Sequence, residues 1–335
     1  MKKKLALMLA AAMIMALVGC TSGGGETTGS GSGSGSGDAP ATLSNVTLAT
    51  GGSSGTYYAV GGVLSQTLQS TAGIKTDVVS TGASKDNVQG ITDGNYNMAI
   101  LQGDVLAYAH NGTDMFEGAV EDTALWVAGI YNETVQIIAT PDITDVAQLA
   151  GKAVVVGDAG SGTEFNARQV LEAYGLTFDD IAAQNGSFQE GVDGLKDGKI
   201  SAAFTVAGAP TTAIVDLDAS GTAYNLVSLT EEAVNTITTN YPFLVREDLA
   251  AGTYDSQTED VVCVAVKAVL VASKDLDENT VYTATKAIFE NLEALTVGHP
   301  KFGFLTLESA LDGANVEVHP GAAKYYTEQG IELPA

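Results

Sequence analysis

Residues 87–100 read NVQGITDGNYNMAI, and they align without gaps on residues 191–204, GVDGLKDGKISAAF, at an offset of 104 positions. The two segments share Val, Gly, an Asp-Gly pair and Ala at matching places. In each, the Asp-Gly pair separates a helical pattern from an apolar strand pattern. A repeat of this kind predicts two equivalent lobes. The alternative is that α/β units in general have similar Gly and Asp residues at their turns.

Around this repeat, short β-type runs alternate with helical patterns. Strands are predicted at residues 45–49, 76–80, 98–101, 135–139, 153–156, 202–206 and 261–272. Helices are predicted at residues 58–69, 85–92, 104–110, 163–174, 190–196 and 278–295. This alternation predicts an α/β protein in which each lobe is a mostly parallel sheet flanked by helices, with ligand-binding loops at the carboxyl ends of the strands.

The C-terminal segments are expected to return to the first lobe. We therefore predict a first lobe of residues 42–131 plus 275–335 and a second lobe of residues 132–274, joined by crossing hinge strands. A cleft between two such lobes is the usual place for a small ligand.

The N-terminus predicts the compartment. Three lysines precede an apolar run at residues 5–18 that is too short to span a bilayer, so residues 1–19 read as a signal peptide. Cys20 follows Leu17, Val18 and Gly19, a pattern that predicts lipid on this cysteine; the alternative is an ordinary signal peptide with an incidental Cys. Residues 20–41 form a Gly/Ser tether. We expect an extracytoplasmic protein, anchored by lipid on Cys20 to the outer face of the cytoplasmic membrane, or a periplasmic one.

Charge and residue usage exclude several functions. The net charge of −25 repels nucleic acid, so no nucleic-acid partner is expected. Cys263 is the only cysteine besides Cys20, which indicates a buried, inert thiol. The three histidines lack metal-ligand spacing, and no nucleophile motif occurs, so neither an enzyme, a cofactor nor a metal is predicted. Asp275, Asp277 and Asn279 resemble the start of a calcium loop, but Thr280 replaces its turn glycine.

Two glycine-rich loops, residues 51–57 and 157–163, each contain Ser-Gly-Thr just before a predicted helix. Free backbone N–H groups and the partial positive charge at a helix N-terminus can hold a carboxylate without a basic side chain. The alternative is simple capping by Ser or Thr. Neither loop ends in the Gly-Lys-Ser/Thr of a nucleotide-binding loop, which disfavours ATP.

Further candidates follow other strands of the predicted sheets. Gln102 could hold a polar head group, and Asp104 is expected to cap a helix. Arg168 could reach a ligand or could pair with Glu172 on its own helix. The full set of candidate ligand-binding residues is Ser54, Gly55, Thr56, Tyr57, Thr81, Gly82, Ala83, Ser84, Gln102, Ser161, Gly162, Thr163, Gly208, Ala209 and Pro210.

Three motifs carry a family resemblance that covers nearly the whole mature chain. They are ATGGSSGTYYAVGG at residues 49–62, GSGT at 160–163 and HPGAAKYY at 319–326. With them the chain resembles the TAXI-type extracytoplasmic receptors of TRAP transporters. The resemblance implies a type II periplasmic-binding-protein fold, closure on a ligand and no enzymatic activity. It also implies ligand contacts from Thr56, Tyr57, Thr81, Ala83, Gln102, Ser161, Gly162 and Thr163, and a structural role for residues 319–326.

The function expected from these features is that of a monomeric receptor. It would capture a small organic acid or amino acid, such as glutamate, glutamine or 2-oxoglutarate, and deliver it to a TRAP-type membrane permease. The alternatives are a receptor of an ABC importer and a surface adhesion lipoprotein with no small ligand. A hydrolase on an α/β scaffold would need a nucleophile with a base, and the sequence lacks such a pair.

Overall fold

Two long strands, β4 (Ala124–Ala139) and β10 (Val264–Ser273), run side by side and antiparallel through the centre of the sheet. The computed structural model describes residues 45–334, so the predicted signal peptide, Cys20 and the tether lie outside the described residues. All but one residue of β4 are buried. Helices cover both faces of a doubly wound sheet, and central strands of this kind read as nearly continuous apolar runs.

The other strands flank this pair. They are β1 (Asn45–Ala49), β2 (Lys75–Val79), β3 (Met98–Gln102), β5 (Ala153–Val155), β6 (Ala182–Gln184), β7 (Ala202–Ala207), β8 (Asn225–Leu226) and β9 (Val245–Arg246). The sheet order is β2-β1-β3-β10-β4-β7-β5-β6, with β8 on β4 and β9 on β10. β1 is parallel to β2 and β3, and β5 is parallel to β6 and β7. The predicted α/β class, with parallel strands on each side of crossing strands, is confirmed.

The helices pack on these strands. They are α1 (Thr56–Ala72), α2 (Ser84–Thr92), α3 (Gly103–Asn111), α4 (Gly162–Ala173), α5 (Phe188–Lys196), α6 (Thr212–Ala219), α7 (Glu231–Asn240), α8 (Glu278–Phe289), α9 (Leu292–Gly298) and α10 (Pro320–Glu328). Within residues 45–334, none of them combines the length and the apolar character needed to cross a membrane.

The hydrophobic interior consists of two main parts. The first core lies around β1 to β3 and draws on residues 46–131 and 268–326. The second core lies around β5 to β7 and draws on residues 135–266 on one face and 138–254 on the other. The change from one core to the other falls within β4 and again within β10, so these two strands contribute to both.

The internal repeat forms the same elements twice. α2 and β3 correspond to α5 and β7 at the 104-residue offset of the alignment. Gly94 and Gly198 follow the two helices with φ of +74° and +66°, a left-handed conformation that favours glycine. The shared Asp-Gly pair is therefore the helix-ending turn of each unit.

Several sequence-based boundaries were wrong. β4 begins eleven residues before the predicted strand at 135, because Gly129 and the polar run 132–134 interrupt the apolar pattern without ending the strand. The predicted helix 278–295 is two helices, α8 and α9. The sequence interpretation missed α6 and α7 altogether.

The C-terminal motif packs on the first core. His319 caps α10 by accepting a hydrogen bond from the Gly321 N–H, at 3.2 Å. The Tyr326 hydroxyl donates to the Val127 carbonyl in β4, at 2.8 Å. These contacts fit the structural role that the resemblance implies for residues 319–326.

Two adjacent glycines of α1 provide a test of this packing. A Cβ at Gly61 would lie 2.7 Å from the Thr50 methyl group and 3.3 Å from Val78, whereas a Cβ at Gly62 meets nothing within 4 Å. Both Gly→Ala changes gain about 1 kcal/mol of helix propensity. We expect Gly62→Ala to raise the free energy of unfolding by up to about 1 kcal/mol and Gly61→Ala to lower it by about 1 to 3 kcal/mol. Urea unfolding measures both, and equal effects would contradict this packing of α1.

Candidate ligand-binding site

A cavity of about 40 Å³ lies where the loops of the first core meet those of the second. Its lining residues are Gly51, Gly52, Ser54, Gly55, Thr56, Tyr57, Ala83, Ser84, Gln102, Glu133, Asp158, Ser161, Gly162, Thr163, Ser187, Phe188, Val206 and Ala207. No lysine, arginine or histidine of residues 45–334 is among them. An anionic group in this cavity would be held by backbone N–H groups and hydroxyls.

Both Ser-Gly-Thr loops reach the cavity, at the N-termini of α1 and α4. In α4, Ser161 caps the helix by accepting a hydrogen bond from the Glu164 N–H, at 3.1 Å. In α1, Gly55 is the N-cap residue, and no side chain of the described chain caps this helix. The capping alternative therefore applies to Ser161, while the first turn of α1 keeps its N–H groups free of side-chain caps.

Contacts between the two cores close the cavity. The Thr56 hydroxyl donates to the Gly208 carbonyl, at 2.8 Å. The Phe188 ring packs against Gly55, where a Cβ would lie 3.3 Å from it. A Cβ at Gly162 would collide with the Gln102 amide, so only glycine allows this approach of α4 to β3. The structure is thus a closed arrangement of the two halves.

A buried polar network connects α3 with α4. Gln102 Nε2 donates to Asn166 Oδ1 at 3.1 Å, and Asn166 Nδ2 donates to Asp104 Oδ2 at 3.1 Å and to Gln169 Oε1 at 2.9 Å. Burial raises the pKa of Asp104 to about 6, although the hydrogen bond from Asn166 opposes the rise. Asp104 also accepts from the Val105 N–H, at 2.7 Å. The predicted capping by Asp104 is nevertheless wrong, because Asp104 lies inside α3, whose N-cap residue is Gln102, and no side chain of the described residues caps this helix.

Four buried polar atoms near the cavity have no hydrogen-bond partner among residues 45–334. They are the Tyr57 hydroxyl, Gln102 Oε1, the Tyr131 hydroxyl and Glu133 Oε1. Glu133 is 1% exposed. Burial raises its pKa to about 8, and the neighbouring Tyr57 and Gln102 side chains only partly oppose this. Buried polar groups normally have partners, so four such atoms together indicate a place where a ligand supplies them.

The structure brings together most of the candidate residues. Ser54, Gly55, Thr56, Tyr57, Ala83, Ser84, Gln102, Ser161, Gly162 and Thr163 line the cavity. Thr81, Gly82, Gly208, Ala209 and Pro210 do not. The Thr81 hydroxyl donates to the Thr50 carbonyl at 2.8 Å and so holds the turn in place. The Gly208 carbonyl accepts the hydrogen bond of the Thr56 hydroxyl. Ala209 packs with Leu249, Val261 and Cys263.

Sequence reasoning missed Glu133, Asp158, Ser187 and Phe188. Asp158 lies in the second glycine-rich loop, and Ser187 and Phe188 begin α5. Glu133 lies within β4, in a stretch that was not recognised as a strand. The available signal was one acidic residue in a stretch, residues 124–139, that is otherwise uncharged.

Other residues singled out in the sequence lie outside the cavity. The Arg168 guanidinium stacks on the Phe178 ring at 4.0 Å and pairs with Glu164 at 3.2 Å, so the predicted pairing with Glu172 is wrong. Arg168 is not among the residues that line the cavity. Burial raises the pKa of the Cys263 thiol to about 12, in keeping with an inert thiol. Asp277 caps α8 by accepting from the Thr280 N–H, at 2.8 Å.

Comparison with known proteins identifies similar families and folds. The NMT1-like family model matches residues 48–330. A protein of known structure from Bordetella bronchiseptica RB50 is 16% identical, covering 85% of this chain and 82% of its own, with a TM-score of 0.51. An ancestral arginine-binding protein bound to arginine is 11% identical, covering 78% and 99%, with a TM-score of 0.50. The likeness to these structures concerns the fold, which is that of type II periplasmic-binding proteins.

The buried carboxyl of Glu133 predicts a pH dependence of stability. Its folded pKa of about 8 lies above the ordinary value of 4.5, so unfolding releases a proton between these pH values and stability falls as the pH rises through them. Glu133→Gln keeps the shape and removes the titration. We expect the variant to gain up to about 1.4 kcal/mol per pH unit over the native protein in that interval. Urea unfolding from pH 4.5 to 9 measures the difference in the free energy of unfolding between the variant and the native protein. The titration of Asp104 cancels in this difference because both proteins contain that residue. Parallel curves would contradict the burial of this acid.

Proposed function

The chain belongs to the NMT1-like family, and from this membership and the geometry of the cavity we propose that it is an extracytoplasmic solute-binding receptor and not an enzyme. The receptor captures a small carboxylate, similar to glutamate, glutamine or 2-oxoglutarate, between two lobes. The observation that carries this proposal is the meeting of the α1 and α4 N-termini, from opposite halves of the sheet, at one cavity.

The lobes of the proposed receptor are residues 42–131 plus 275–335 and residues 132–274. The positions of the two hydrophobic cores support a division of this kind, since one core passes to the other near residues 131–135, at the first proposed boundary, and near residues 266–268, a few residues before the second. The pairing of β4 with β10 is irregular between Ala268 and Val269 and between Leu270 and Val271. Extra twist at such irregularities allows strands to bend, which suits a hinge.

Carboxylate binding is supported by the chemistry of the lining. The first turns of α1 and α4 supply N–H groups and the positive end of the helix dipole. Hydroxyls of Ser54, Ser84 and Thr163 supply further donors. Because the ligand exchanges water for these donors only when both lobes surround it, binding stabilises the closed state.

The proposed partner is a TRAP-type permease, and lipid on Cys20 keeps the monomeric receptor at the membrane. A reconstituted uptake assay separates this partner from an ABC importer. Uptake that depends on an ion gradient supports the TRAP assignment, and uptake that depends on ATP overturns it.

Ligand screening tests the receptor function itself. Thermal unfolding of the purified protein is measured with glutamate, glutamine, 2-oxoglutarate and a wider panel of small carboxylates and amino acids. A ligand at about a hundred times its dissociation constant adds about 2.7 kcal/mol to stability, which corresponds to several degrees. If no compound of the panel shifts the transition and none copurifies, the protein is better explained as an adhesion lipoprotein.

Thr163 provides a test of the carboxylate site. Thr163→Val keeps the shape of this buried residue and deletes one donor, so we expect binding to weaken by about 1 to 3 kcal/mol without loss of folding. Thr239→Val, at an exposed position of α7, is the matched control and should leave the affinity unchanged. Titration calorimetry measures both, and native affinity in Thr163→Val would remove this hydroxyl from the site.

A further inference from the structure

We propose that Glu133 binds a cationic nitrogen of the ligand, so that the receptor selects small amino acids over the keto acids of the same shape. This inference rests on the proposed function and names the substrate class of the same cavity. It starts from a residue that the carboxylate site does not use. Glu133 lines the cavity and is fully buried, and its Oε1 lacks a partner in the described part of the chain.

The position of Glu133 is fixed by the crossing strands. It lies in β4 opposite Val266 of β10, near the point where one core gives way to the other. Residues two apart on a strand point to the same face, so Tyr131 and Glu133 share one. The hydroxyl of Tyr131 also has no hydrogen-bond partner among residues 45–334.

The unpartnered atoms are mainly acceptors. Gln102 Nε2 is committed to Asn166 Oδ1, and Asn166 in turn donates to Asp104 and Gln169, which fixes the orientation of the Gln102 amide. Gln102 Oε1 can therefore only accept. An ionised Glu133 also only accepts, and the hydroxyls of Tyr57 and Tyr131 are able to. An ammonium group carries three N–H donors, which this set of acceptors matches.

The charges around Glu133 favour the same ligand. Tyr57 of α1, Tyr131 of its own strand, Gln102 at the end of β3 and Asp104 of α3 lie near it, and Asp104 disfavours its ionisation. Lys301, in the turn Pro300–Phe304, is the cation that favours it. Lys301 lies 6.0 Å from the centre of the Tyr131 ring and does not line the cavity. A ligand with two negative charges would meet Glu133 and Asp158 with no cationic side chain beside it.

An amino acid instead has a group for each end of the site. Its carboxylate suits the helix N-termini, and its ammonium suits Glu133. Before binding, burial keeps Glu133 protonated; when the ammonium arrives, the carboxyl loses its proton to solvent and the two charges pair. A keto acid has a carbonyl oxygen, an acceptor, at the place where the protein also offers acceptors. A site that hydrogen-bonds one group of its ligand discriminates strongly against an analogue without that group. An apolar site discriminates much less against an analogue that lacks one methylene.

Matched ligand pairs test this selectivity in the native protein. Titration calorimetry compares L-glutamate with 2-oxoglutarate, L-alanine with pyruvate and L-leucine with 4-methyl-2-oxopentanoate. We expect the amino acid of the pair that fits the cavity to bind at least about 100-fold more tightly than its keto acid. Its affinity should rise about tenfold per pH unit from pH 6 to about 8 and then level off, because binding releases the Glu133 proton.

The Glu133→Gln variant tests the residue. It should lose at least about 100-fold in affinity for the amino acid at pH 8, lose the pH dependence, and leave the keto acid nearly unchanged. Glu308→Gln makes the same chemical change at an exposed position and should behave as the native protein. The pH profile of the native protein needs no variant, so the inference can be tested even if Glu133→Gln folds poorly.

Two other results would separate the two proposals. The native protein could bind the keto acid at least as tightly as the amino acid, with an affinity for the keto acid that falls as the pH rises through 8. In that case the protonated Glu133 carboxyl donates a hydrogen bond to the ligand. That result overturns the ammonium assignment and leaves the receptor function standing. If neither class binds at any pH, the carboxylate receptor function fails, and the assignment of Glu133 fails with it.

Discussion

The antiparallel pairing of β4 with β10 is the constraint on which the rest of the structure depends. These strands join the parallel strands β1 to β3 to the parallel strands β5 to β7, and residues of both strands enter both hydrophobic cores. Their burial on both faces requires apolar side chains along nearly their whole length. An acidic residue in such a strand is costly, because a buried charge without a partner loses its hydration. The stability of the fold therefore does not explain why position 133 of β4 is a glutamate.

The contacts between the halves use polar groups where apolar packing would be simpler. Asn166 holds Gln102, Asp104 and Gln169 in a single buried network, so a shift of α4 relative to α3 would break several hydrogen bonds together. Buried networks of this kind specify one arrangement only when nearly every member is satisfied. Gly162 also helps to define this arrangement, since a Cβ at that position would collide with the Gln102 amide. The network thus fixes how closely the N-terminus of α4 approaches the first half.

Local patterns in the sequence predicted much of this fold, because they depend on neighbouring residues. The Asp-Gly pairs at 93–94 and 197–198 predicted helix ends that the structure contains, and the Ser-Gly-Thr loops predicted the helix N-termini that line the cavity. Glu133 was missed because its role depends on tertiary structure. Its neighbours Asn132 and Thr134 interrupt the apolar periodicity, and only the pairing with β10 makes these residues part of one strand. Thr81 and Gly208 were assigned to the site from their sequence position, although their hydrogen bonds are used to support the loops around it.

In the proposed receptor, the acidity of Glu133 ties proton release to occupancy. In the closed, empty cavity, burial raises the pKa of its carboxyl to about 8, so the group is protonated at neutral pH. An ammonium group replaces that proton as the partner of the carboxylate, because the ion pair compensates for the lost hydration. A buried carboxyl therefore ionises only beside a ligand that brings a cationic nitrogen, and a ligand without one leaves a neutral acid facing it.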